Sequence, residues 1–87
     1  MEYIITFHTH YESLCCKRIL EKMDAVRGGE VSIKMIAAPR EISSSCGTAI
    51  KIKVRDDASF DESSLLQIEK DEIFTYAENG KYVLLPF

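Results

Sequence analysis

Tyr3-Ile4-Ile5-Thr6-Phe7-His8-Thr9-His10-Tyr11-Glu12 changes its period midway, and that change decides the fold. Tyr3, Ile5 and Phe7 alternate with Ile4, Thr6 and His8, so apolar residues fall on both sides of an extended chain, as in a strand at the middle of a sheet. Thr9 then stands three residues before Glu12, the spacing at which a hydroxyl caps a helix and a carboxylate reaches back. The helix expected there runs to about Asp24, ahead of Gly28-Gly29. Cys16, Ile19, Leu20 and Met23 form its predicted inner stripe, with Lys17, Arg18, Glu21 and Lys22 toward water.

Two half-exposed strands follow, one with Val31, Ile33 and Met35 between Ser32 and Lys34, the other with Ile50, Ile52 and Val54 between Lys51, Lys53 and Arg55. Ser59 and Glu62 repeat the capping-box spacing before Leu65, Leu66 and Ile68, predicting a second helix that ends near Asp71. Phe74, Tyr76 and then Tyr82, Leu84 flank Asn79-Gly80, a strong hairpin signal. The predicted class is α+β, a ferredoxin-like split β-α-β (βαββαβ) with an additional C-terminal strand that forms a hairpin. A helix between the first two strands makes them parallel, and the third strand is expected between them. His8, Thr9, His10 and the amides of the first helix turn are thereby expected at the same end of the sheet as the connection after the second strand.

The chain has 87 residues, enough for one small core, and residues 1–87 are read as a single domain. With 46% hydrophobic and 29% charged residues it has the composition of a globular domain. The formal charge is −3 and the Lys and Arg residues are scattered, which argues against a nucleic-acid surface or a polybasic membrane anchor. Met1 to His10 lacks a basic segment followed by a long apolar run, and no stretch approaches a membrane span. A cytoplasmic location is therefore expected, with reduced thiols, because three cysteines, two of them adjacent, do not make a disulfide framework. Cys15 and Cys16 point about 100° apart on a helix and form no relaxed disulfide with each other. Cys16 reads as core and Cys15 as a border residue.

The connection between the second and third strands is the candidate site. Pro39-Arg40-Glu41-Ile42-Ser43-Ser44-Ser45-Cys46-Gly47 is far longer than a hairpin needs. Cys46 is either a small packed hydrophobe or a reactive thiol. Its serine and glycine flanks favour the second, since a cation and a nearby helix N-terminus lower a cysteine pKa. Arg40 is either the cation that holds the thiolate or an anion, or a solvated partner of Glu41. Ser43, Ser44, Ser45 and Gly47 offer hydroxyls and amides for an anion nest, or are spacer. His8 and His10 are exposed end residues, proton partners of Cys46, or with it an incomplete soft-metal site. No phosphate-loop, dinucleotide, zinc-finger or Ser-His-Asp signature is present.

The segment PREISSSCG, the opening strand, the run from Tyr11 to Leu20 and the strand AIKIKV together resemble the Se/S carrier-like family of small bacterial domains. That family is associated with, and sometimes fused to, the TusA-like domain of selenium-metabolism proteins called YedF. The resemblance implies a cysteine that carries sulfur or selenium as a persulfide or perselenide, and Cys46 is the matching position. It also implies a cysteine desulfurase or selenium donor and an acceptor protein, TusA- or YedF-like, as partners. The Cys-Pro-x-Pro segment of the TusA domain itself is absent from this chain. Thiol-based chalcogen transfer needs no metal or organic cofactor, so none is expected. Two rival readings stand beside it. One is a regulatory module that binds a small anion or a protein without thiol chemistry, and the other is a soft-metal chaperone using His8, His10 and Cys46. The C-terminal hairpin, Ile73 to Leu85 with Pro86-Phe87 behind it, offers an edge for a second copy or a partner.

Overall fold

A computed structural model describes residues 2–39, 42, 47–56, 58, 65, 68, 70–76 and 81–85 of the chain. In order, the elements are β1 (Glu2–Thr6), α1 (His10–Glu21), α2 (Asp24–Arg27), β2 (Val31–Ala37), β3 (Thr48–Val54), β4 (Ile73–Tyr76) and β5 (Tyr82–Leu84). The fold is α+β, with two short helices and an antiparallel five-stranded sheet in the order β2-β3-β1-β4-β5.

β1 takes the middle of the sheet because it is apolar on both faces. Tyr3, Ile4, Ile5, Thr6 and Phe7 are all buried, with Ile5 paired to Ile50 on β3 and to Ile73 on β4. β1 and β2 both run antiparallel to β3, hence parallel to each other, and two parallel strands need a crossover. α1 and α2 supply it.

Strand alternation sorts the side chains onto two faces. Tyr3, Ile5, Phe7, Val31, Ile50, Ile52, Val54 and Ile73 form the main core with Cys16 and Leu20 of α1, and with Leu65 and Ile68. On the opposite face Ile4, Ala49 and Ile42 make a second, smaller cluster, with Ile36, Ala38, Phe74 and Tyr82 packed against it.

α1 departs from expectation in its register and its end. Its buried residues are Ser13, Cys16 and Leu20, spaced i, i+3 and i+7 on one stripe, whereas Ile19 lies about 100° round from Leu20 and is 48% exposed. Ile19 is thus not an inner residue. Met23 packs partly against the core, but from an extended backbone (φ −72, ψ 139) that separates α1 from the single turn of α2. The break falls at Lys22, whose amide donates to the Ile19 carbonyl while the Met23 amide donates to that of Leu20.

Most of the second helix expected from Ser59 to about Asp71, including Ser59, Glu62 and Leu66, lies outside the described residues. Leu65 and Ile68 are described, and both are buried in the main core. The hairpin is formed by the pairs Phe74–Leu84, Thr75–Val83 and Tyr76–Tyr82. Asn79 and Gly80 at its turn, and Pro86 and Phe87, lie outside the described residues.

Candidate functional site

Thr6, at the end of β1, ties this end of the sheet together. Its amide donates to the Glu72 carbonyl (2.9 Å), its carbonyl accepts from the Asp71 amide (2.8 Å), and its hydroxyl accepts from the Glu72 amide (3.2 Å). These bonds pin the approach to β4 against β1. They also fix Asp71 beside the two residues that follow β1.

The predicted cap forms. Thr9 is extended (φ −137, ψ 158) and its hydroxyl accepts from the Glu12 amide at 3.2 Å, which satisfies one of the helix's orphan donors. Glu12 reaches back one residue further than a standard capping box, to the His8 amide at 2.9 Å. The Ser13 hydroxyl, fully buried, donates to the His10 carbonyl at 2.6 Å.

His8 is therefore held on both sides. Its Nδ1 lies 3.2 Å from Glu12 Oε1 and its Nε2 3.4 Å from Asp71 Oδ1. A neutral imidazole has one N–H and can donate to one of these carboxylates, while an imidazolium donates to both. The Glu12 carboxyl is held below its ordinary 4.5, first by the His8 amide, against some desolvation, and further by the His8 ring and the Thr9 amide. His10 opens α1 and is exposed. Among the described residues no group of three or more His, Cys, Asp or Glu is gathered to hold a metal ion.

The long connection leaves from this same end of the sheet. β2 ends at Ala37 and β3 begins at Thr48, which are register partners, and the Ala38 amide donates to the Gly47 carbonyl at 2.9 Å. Thr6 pairs with Ala49, so His8 and Gly47 each stand two residues beyond a shared rung, at one end of neighbouring strands. Gly47 is exposed and has φ +72, a left-handed backbone that side chains rarely adopt, although a Cβ there would meet nothing within 4 Å. Its freedom serves the turn of the chain, not a close approach. Arg40, Ser43, Ser44, Ser45 and Cys46 lie outside the described residues.

Ile42 is the residue that sequence reasoning passed over. It is 4% exposed and packs on Ile4 and Ala49, on the sheet face opposite the helices, and its amide donates to the Pro39 carbonyl at 3.0 Å. An apolar side chain alone among polar neighbours was the available signal. At this position in the fold it acts as an anchor that fastens the middle of the connection to the sheet.

The other two thiols are accounted for by packing. Cys16 is fully buried in the main core, and burial pushes its thiol up to about 12. Cys15 is half-buried and free.

No curated protein and no solved structure matches this chain. Residues 2–73 match the family described as "Putative Se/S carrier protein-like", a span that runs from the first residue of β1 to the first of β4 and contains the whole β2–β3 connection. This chain belongs to that family.

Proposed function

We propose that the chain carries a sulfur or selenium atom on Cys46. The carrying observation is the family match, which spans this thiol, joined to the arrangement around the connection in which it lies. One residue away Gly47 is exposed at an end of the sheet, and Ile42 anchors the same connection four residues earlier. The other two cysteines have simpler explanations: Cys16 is core and Cys15 is a half-buried residue at the border of the α1 stripe.

In this reading the Cys46 thiolate attacks the terminal sulfur of a donor persulfide. A bond forms from Cys46 Sγ to that sulfur, the donor S–S bond breaks, and the donor thiolate leaves with the electron pair. Cys46 then bears the persulfide, with no net oxidation, and the reverse step passes the sulfur to an acceptor thiol. A perselenide is exchanged in the same way. Arg40 and the hydroxyls of Ser43, Ser44 and Ser45 stabilise the anionic chalcogen, with the backbone around Gly47 as further donors. Both ring nitrogens of His8 lie against carboxylates, so His8 contributes position, and His10, which is exposed, is the ring that accepts a proton in this reading.

The fold completes this reading when the chain between β3 and β4 supplies the second crossover. The order β2-β3-β1-β4 is then that of a ferredoxin-like split βαβ sheet with β5 added at one edge. The donor is a cysteine desulfurase or a selenium donor, the acceptor is a TusA- or YedF-like protein, and the location is cytoplasmic.

Incubation with a cysteine desulfurase and cysteine, followed by peptide mass spectrometry, tests the assignment. A mass gain of one chalcogen confined to the Cys46 peptide, and lost in Cys46→Ser, is the expected result. An unmodified Cys46 peptide beside a loaded control carrier overturns it.

A further inference from the structure

Three of the chain's lysines share the sheet face that carries Ile42. The register sets Lys34 directly opposite Lys51, and Lys53 opposite both Ser32 on β2 and Glu2 on β1. Ile4 and Ala49, which hold Ile42, occupy the same face at neighbouring rungs. Like charges directly opposed on adjacent strands destabilise a sheet, and the chain as a whole carries a charge of −3. The one carboxylate that answers these lysines among the described residues is Glu2, 3.4 Å from Lys51 Nζ. Lys34 and Lys53 are exposed and have no ion pair among the described residues.

The rung through Lys34 and Lys51 continues across Ile4 and Phe74 to Leu84, which is 52% exposed. Ile4 on that rung is buried and Phe74 half-buried, which leaves Leu84 as its exposed apolar end. Cations at one edge and an exposed leucine at the other suit a chain with carboxylates at one end and an apolar side chain at the other. Nucleic acid is the poorer fit, because a chain of pI about 5.3 repels a phosphate backbone. The rings that would stack bases, Phe74 and Tyr82, are packed against the Ile42 cluster.

We propose that the sheet face of Lys34, Lys51 and Lys53 is a docking surface for an acidic, extended segment of a partner protein. It goes beyond chalcogen carriage and holds whether or not Cys46 is loaded. A segment seated there lies beside Ile42, and so beside the β2–β3 connection.

Backbone amide NMR during titration of the whole chain with poly-L-glutamate at low salt reads this directly. The expected result is a shift centred on Lys34, Lys51, Lys53 and Ser32, with little at Lys17 and Lys22 of α1. The double variant Lys34→Glu, Lys51→Glu weakens binding about tenfold or more, and Lys17→Glu, Lys22→Glu leaves it within about twofold. Shifts spread equally over all lysines, or centred off this face, overturn the proposal in the wild-type chain itself, whatever the variants do. Tighter binding of oligothymidine than of polyglutamate at the same amides also overturns it, in favour of a nucleic-acid surface.

Discussion

A thiol buried among apolar side chains and a thiol in water obey opposite electrostatics, and Cys16 is of the first kind. Cys16 sits among Leu20, Phe7 and Leu65, where its neutral form alone is comfortable, and desolvation raises its pKa to about 12 from an ordinary 9.0. The unfolded chain ionises this thiol near pH 9 while the folded chain does not. Stability is therefore unaffected by Cys16 below pH 9 and falls as pH rises beyond it. In the native protein at neutral pH, Cys16 is expected to react with iodoacetamide far more slowly than in denaturant, with mass spectrometry of the digested peptide as the readout. Equal rates in both conditions would show that the core is open at this helix face. The sequence already marked Cys16 as an inner residue by its spacing. It misplaced Ile19, because a helix that also carries Tyr11, Leu14 and Ile19 on its outer side has no single apolar stripe, and only the packing of Cys16 and Leu20 into the core with Phe7 selects one.

At the scale of elements, the ends of the β2–β3 connection were legible and its path was not. Alternation in the sequence stops at Ala38 and resumes near Thr48, and the strands end at Ala37 and begin at Thr48. Thr9 capping α1 was equally plain, since that contact is local. Ile42 was not, because one apolar residue carries no period, and its partners Ile4 and Ala49 are distant in sequence. The second carboxylate partner of His8 was hidden for the same reason: Asp71 meets His8 only because Thr6 binds the chain before β4. Replacing Ile42 by Ala should remove the anchor while leaving the main core intact. The expected cost is about 2 kcal/mol, at the lower end for an aliphatic-to-alanine change because the cluster is small. Urea unfolding measures it, and a change below about 0.5 kcal/mol, in the range of an ordinary surface substitution, would mean that Ile42 rests on the sheet without holding the connection.

For the whole molecule, the fold sorts its parts onto two faces and one end of the sheet. The helices and the main core occupy one face of the sheet, and the Ile42 anchor and the lysines the other. His8, the start of α1 and Gly47 gather at one end. The central place of β1 and the place of β3 between β1 and β2 were legible, because β1 is apolar on both sides and because parallel β1 and β2 leave room for a strand between them. The electrostatic state of Cys46 is the claim on which chalcogen carriage depends, and it can be measured without a donor or an acceptor. The rate of alkylation of Cys46, followed peptide by peptide across pH, should titrate about one unit or more below the ordinary thiol value of about 8.5. A midpoint at or above that value would contradict the account, since an un-ionised thiol at neutral pH is a poor nucleophile toward a donor persulfide.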